Sequence, residues 1–211
     1  SAAQGKIDEA ITFSGKTIDV ASDYLPAYLD QGDLYMAKGM AEKAASVYLA
    51  ATLSCQDTAP AFFRLGVAQQ ALQKWPEAER SYLNAVKRQP ALFGAYNNLA
   101  VMAAERKANL DQGLQWALKA KELAPGQATV LDTLGWIYRA RGDLRLATTT
   151  LEDARAKQPK NASVRYHLGV VYGESGRKTE AKVELEQFLA INPRHRNASD
   201  ASQRLKTLSG R

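Results

Sequence analysis

Two histidines, one cysteine and a scatter of carboxylates are the groups with which this chain could do covalent or metal chemistry. His167 and His195 stand 28 residues apart on different elements, and no H-x-x-x-H or H-E-x-x-H spacing is present. A zinc centre needs several such ligands converging, so no metal site is expected. No glycine-rich phosphate cradle and no G-x-S-x-G elbow occurs. Cys55 lies beside Gln56 and Asp57 near the end of a helical stretch and reads as a half-buried small apolar residue, not a nucleophile. No catalytic residue, no cofactor and no enzymatic activity are expected. Asn161 and Asn197 each open an N-A-S glycosylation pattern, which acts only in a eukaryotic secretory setting. What remains suits non-covalent recognition. Asn97 and Asn98 carry amides that donate and accept at once, and Trp136 offers a large apolar surface with one N–H donor.

The totals bound the setting. A single cysteine forbids an intrachain disulfide, which fits a cytoplasm and equally a periplasm. The longest apolar run, 99–104, is far below the roughly 20 residues that span a bilayer. No signal peptide is present, and the chain begins at Ser1 without a methionine, as a processed or excised product would. A bacterial periplasm and a cytoplasm both stay open. The net charge of +6 is unevenly spread: residues 1–58 carry four Lys and eight Asp/Glu, whereas residues 59–211 carry 24 basic and 14 acidic residues. The two ends should therefore attract different partners.

The elements that position these groups are set by a repeat. Counting Ala128 as position 1, Gly135 is position 8, Ala147 position 20, Ala154 position 27 and Pro159 position 32. The same offsets carry Gly32, Ala44 and Ala51, then Gly66, Ala78, Ala85 and Pro90, then Ala100, Gly113, Ala120 and Pro125, then Gly169, Ala181 and Pro193. Five repeats result, 25–58, 59–92, 93–127, 128–161 and 162–195; four are 34 residues long, and the middle one has an extra residue in the turn at 107–109. The array resembles the tetratricopeptide repeat family over nearly its whole length. That resemblance implies an all-α, right-handed α-solenoid of helix–turn–helix repeats.

Each repeat reads as a first helix over positions 1–14 and a second over 17–31. Small residues at positions 8 and 20 let the two approach, and the late prolines end the second helix. Pro76 is tolerable in a first helical turn. Phe188 stands where position 27 is otherwise small. Residues 1–24 read as a partial repeat, because 5–11 match positions 15–21, the turn and second helix, without a first helix in front. Residues 196–211 read as a C-terminal capping helix, with Ala201, Leu205 and Leu208 in one stripe.

The resemblance further implies that positions 2, 5, 6, 9, 12 and 13 of each first helix face a concave groove. They place Phe63, Arg64 and Gln70 there, then Asn97, Asn98 and Val101, then Asp132, Trp136 and Arg139, then Tyr166, His167 and Val170. Asn98 occupies the slot where peptide-binding members carry a backbone-clamping Asn. Trp136, Val101, Tyr166 and Val170 would form an apolar anchor pocket flanked by Arg64, Arg139 and His167. No three consecutive repeats carry the Lys/Asn set by which chaperone-binding members hold a C-terminal carboxylate.

The expected function is a protein-interaction scaffold binding a peptide or partner protein, with acidic or apolar segments in the groove. The style of residues 132–138 and 166–169 looks like bacterial arrays of envelope and exopolysaccharide or secretion systems. Self-assembly through the exposed N-terminal helix is an alternative. Nucleic-acid binding through the basic half is another, disfavoured because no aromatic residues interleave with Lys87, Arg88, Lys119, Lys121, Arg155 and Lys157.

Overall fold

Proline spacing decides where the helices stop. In the computed structural model, which describes residues 2–209, the described residues form twelve α-helices and no strand. These are α1 (Ala2–Val20), α2 (Leu25–Ala37), α3 (Ala41–Ser54), α4 (Ala59–Ala71), α5 (Trp75–Arg88) and α6 (Phe93–Arg106). They continue as α7 (Leu110–Leu123), α8 (Ala128–Ala140), α9 (Leu144–Lys157), α10 (Ala162–Glu174), α11 (Lys178–Ile191) and α12 (Ala198–Leu208). Ser1, Gly210 and Arg211, which fall in the expected first and last segments, lie outside the described residues.

Pro26, Pro60 and Pro76 sit in first turns, where an N–H has no intrahelical partner to lose. Gln89, Ala124, Gln158 and Asn192 end α5, α7, α9 and α11 with φ between −130 and −143° and ψ between 66 and 86°. Each precedes a proline, whose ring drives the residue before it out of the helical region. The turns inside the helix pairs need a left-handed residue, supplied by Gly39, Gly142 and Gly176. Gln73 takes that conformation at φ 58° with a side chain. The turn with the extra residue holds two such residues, Lys107 at 50° and Asn109 at 54°.

The chain divides into two compact units, Ser1–Ala95 and Tyr96–Arg211. In the N-terminal unit α4 packs against α2, α3 and α5. Its close contacts are set by size: Tyr48 of α3 lies over Gly32, and Tyr82 of α5 over Gly66. A Cβ at Gly66 would stand 2.6 Å from the Tyr82 ring. The expected turn at Gly5 is absent, because α1 runs unbroken through it; nothing lies within 4 Å of where its Cβ would be, so no packed neighbour forces a turn.

In the C-terminal unit α8 packs against α7, α9 and α10, and α11 packs against α10 and α12. Leu151 fills the space over Gly135, and Leu185 that over Gly169. The pair α6/α7 solves the same crossing differently. Ala100 faces a core containing Ala117, and Gly113 lies against Ala103. Phe188 is fully buried with Tyr166, Val170, Leu185 and Ala201, so the larger residue is accommodated under α12. The most deeply buried carboxylate here is Glu184, which accepts from Arg155 at 2.5 Å and from Arg165 at 2.7 Å. Two guanidiniums compensate its desolvation.

Candidate functional site

The twelve residues expected on a groove fall in both units. In the N-terminal unit Arg64 Nε donates to both oxygens of Asp33, at 2.9 and 3.0 Å. The Tyr48 hydroxyl donates to the same carboxylate at 2.5 Å. That bond to Asp33 holds the Arg64 guanidinium above its usual pKa. Gln70 Oε1 accepts from the Tyr82 hydroxyl at 2.8 Å, and Phe63 lies tilted on the Tyr82 ring. These side chains brace the helix pairs. Beside them a cleft of about 410 Å³ is lined by Phe13, Ser14, Asp30, Asp33 and Leu34, among others.

In the C-terminal unit α8 and α10 carry Asp132, Trp136 and Arg139 against Tyr166, His167 and Glu174. Two cross-ties join the helices. His167 Nδ1 lies 2.8 Å from Asp132 Oδ1, and Arg139 donates to both oxygens of Glu174 at 2.8 and 2.5 Å. Between them the Trp136 indole stacks on His167, with centroids 4.0 Å apart and planes at 21°. The Arg139 guanidinium lies 4.2 Å over the indole. A carboxylate only accepts, so His167 Nδ1 donates to Asp132, and Nε2 is the ring's second hydrogen-bonding atom. Among the described residues, neither Nε2 nor the Trp136 N–H has a hydrogen-bond partner, and neither is buried without one. Together these side chains form an aromatic ledge with two open hydrogen-bonding atoms, the Trp136 indole N–H and His167 Nε2.

The ledge rests on a fixed floor. The Tyr166 hydroxyl donates to Asp200 Oδ2 at 2.8 Å, and Arg204 Nε donates to the same oxygen at 2.6 Å. Burial first, then the bond to Asp200, pushes Tyr166 up to about 12. Burial disfavours ionised Asp200, but the bonds from Arg204 and Tyr166 outweigh it and hold the carboxyl below its usual range. A cleft of about 420 Å³ opens here, lined by Glu174, Asp200, Gln203, Arg204, Thr207 and Leu208 with the α10 glycines.

The remaining expectations fare unevenly. Val170 is 1% exposed, covered by Phe188 and Ala201, and belongs to the core rather than to a groove wall. Tyr166 is also buried, with its hydroxyl bonded to Asp200. The apolar anchor pocket therefore loses two of its four members. Val101 is half-buried on α6. Asn97, on the same helix, has a buried Oδ1 without a partner, and its neighbour Asn98 is half-buried. Arg64 and Arg139 each already hold a carboxylate, so neither is an open anchor for an acidic segment. Sequence reasoning passed over Asp33, Asp200 and Arg204. The repeat offset contains the signal, since Asp200 and Arg204 stand 34 residues after Tyr166 and Val170.

Residues 63–128 and 138–208 each match a family model described as Tetratricopeptide repeat. The chain belongs to the tetratricopeptide repeat family. Its fold is accordingly the all-α solenoid class of helical repeats. A TPR repeat-containing protein of Pseudomonas aeruginosa is 26% identical over 185 residues, which cover 70% of this chain. The chain spans 31% of that relative's length. Among solved structures, the Cut9 and Hcn1 hetero-tetramer of the APC/C contains a chain with a TM-score of 0.82 at 21% identity, covering 97% of this chain and 40% of that one. YrrB, described as a TPR protein with an unusual peptide-binding site, gives 0.63 at 19% identity, covering 90% of this chain and 97% of that one. Likeness at such identity concerns the fold alone.

Proposed function

We propose that the aromatic ledge of the C-terminal unit takes an extended segment of a partner protein. The observation that carries this reading is the Trp136–His167 stack, in which the indole N–H and the imidazole Nε2 have no hydrogen-bond partner among the described residues. An extended backbone presents a carbonyl and an N–H to such a pair, and Arg139 and Asp132 hold the rings in place. On this reading the ledge does not select acidic segments, because its guanidinium, Arg139, is already held by Glu174. The carboxylates of Asp132 and Glu174 beside the rings weigh against a nucleic-acid strand. The division into repeats at 25–58, 59–92, 93–127, 128–161 and 162–195 is part of the same proposal, as is a place in a bacterial envelope or secretion assembly. Support for the latter is a bacterial relative. Among the described residues no helix is long and apolar enough to cross a membrane.

The test is a displayed library of random dodecapeptides selected on the immobilised chain. Enriched peptides should bind Trp136→Ala and His167→Ala at least tenfold more weakly than the parent, with helicity unchanged by circular dichroism. Equal affinity for all three proteins would remove the ledge from the binding surface.

A further inference from the structure

The connection between α11 and α12 makes one contact of unusual reach. Arg196 donates from Nη2 to Glu105 Oε1 of α6 at 2.9 Å, a separation of 91 residues along the chain. Among the described residues of the C-terminal unit, every other ion pair joins residues no more than 35 apart. Those shorter ties, with the core, fix what lies between the two ends. Ala100, Ala103 and Ala104 of α6 share a core with Leu134 and Ile137 of α8. Asp132 and Arg139 tie α8 to α10, and the bond from Tyr166 to Asp200 ties α10 to α12. Reaching α6 from the start of α12 therefore means crossing α8 and α10, the two helices that carry the ledge.

Three observations put that crossing on the ledge side. Glu105 shares a face of α6 with Val101 and Asn98, four and seven residues before it. His195, next to Arg196, meets Phe188 edge-on at 5.2 Å, in the cluster against which Trp136 packs. Burial first, then the nearby charges of Arg196 and His167, lowers the His195 pKa, so this connection lies close to His167. Exposure gives the layering: the side chains of Asp132, His167 and Arg139 are 11%, 18% and 19% exposed, whereas that of Arg196 is 76% exposed. We propose that Arg196 is a strap, whose ion pair with Glu105 closes over the Trp136–His167 ledge and opens to admit a partner segment. What the opening admits rests on the ledge reading; the closure is a property of the free chain. An exposed ion pair biases such an equilibrium by only about 1.4- to 5-fold, so the strap opens readily.

The experiment reads the access of a small quencher to Trp136 with no partner present. Trp75→Phe/Trp116→Phe leaves Trp136 as the one indole, and acrylamide, being uncharged, reports collisions with it. In that background, with helicity checked by circular dichroism, Arg196→Ala and Glu105→Gln should each raise the quenching constant by about 1.4- to 5-fold. Molar salt should raise it in the background protein by screening the pair, and should leave the two variants unchanged. Glu105→Arg/Arg196→Glu restores the pair with its charges exchanged and should return quenching to the background value, which a general loosening of the fold would not do. Arg194→Ala, two residues away, should have no effect. Equal quenching in the background protein, Arg196→Ala and Glu105→Gln overturns the strap, whether or not peptides bind the ledge. Faster quenching in both variants, with dodecapeptide affinity untouched by Trp136→Ala, supports the strap and removes only the ledge reading.

Discussion

Replacing Gly135 by Ala should change sign in its effect on stability according to what stands at position 151. A Cβ at Gly135 would lie 2.6 Å from Leu151 Cγ, 3.0 Å from its Cδ2 and 3.3 Å from the Ala147 carbonyl oxygen. The Leu151 branch point cannot swing aside, because the side chain is fully buried. Overpacking of this kind costs about 1–3 kcal/mol. Replacing a mid-helix glycine by alanine returns about 1 kcal/mol. The net loss is about 0–2 kcal/mol in the parent. Leu151→Ala alone should cost about 2–5 kcal/mol through the cavity it opens. In that background both Leu151 contacts are gone and only the 3.3 Å approach to the Ala147 carbonyl stays, the new methyl enters the cavity, and Gly135→Ala should stabilise by up to about 1 kcal/mol. The double variant reproduces the pair Ala100/Ala117 found in α6 and α7. Urea unfolding of the four proteins, followed by far-ultraviolet circular dichroism, closes the cycle. Additive effects, or a Gly135→Ala that stabilises the parent as much as the Leu151→Ala background, would refute size complementarity as what sets the crossing.

Gln73→Gly should stabilise the chain by about 1 kcal/mol, because a side chain is held at φ 58° where three other turns use glycine; a lowered urea midpoint would count against that. Tyr166 and Tyr172 are each pushed up to about 12, by burial first and then by bonds to Asp200 and Glu152. Their folded pKa values exceed the unfolded value near 10, so the stability they contribute is complete below pH 10 and is lost as pH rises toward 12. Absorbance titration at the phenolate band should show these tyrosines ionising late in the folded chain, and Tyr166→Phe should remove one late step; ionisation of every tyrosine near pH 10 would contradict the hydrogen-bonded pairs.

Much of the helix layout was legible because it rests on local chemistry. Gln89, Ala124, Gln158 and Asn192 stop their helices for one reason, the proline that follows, and a proline is visible in the sequence. The small residue at position 8 was likewise readable, although its partner at position 24 was not singled out. The site was less legible. Offsets within a helix say which side chains share a face; they do not say which of them bond to the next helix. Arg64 and Arg139 looked available until Asp33 and Glu174 were found holding them. Val170 looked exposed because the covering residues, Phe188 and Ala201, come from two later helices. A glycine at a repeat offset does not by itself make a turn: α1 runs through Gly5, where no packed neighbour lies within 4 Å.

The central claim, that a partner segment lies on the Trp136–His167 ledge, is tested most directly by the indole N–H resonances. The chain has three tryptophans, Trp75, Trp116 and Trp136, hence three indole signals in a nitrogen–proton correlation spectrum. Titration with a library-enriched dodecapeptide should move the Trp136 signal downfield as its N–H gains a carbonyl, together with backbone amides of α8 and α10. The Trp75 and Trp116 signals should stay in place. Saturable binding that leaves the Trp136 indole resonance unmoved would contradict the account.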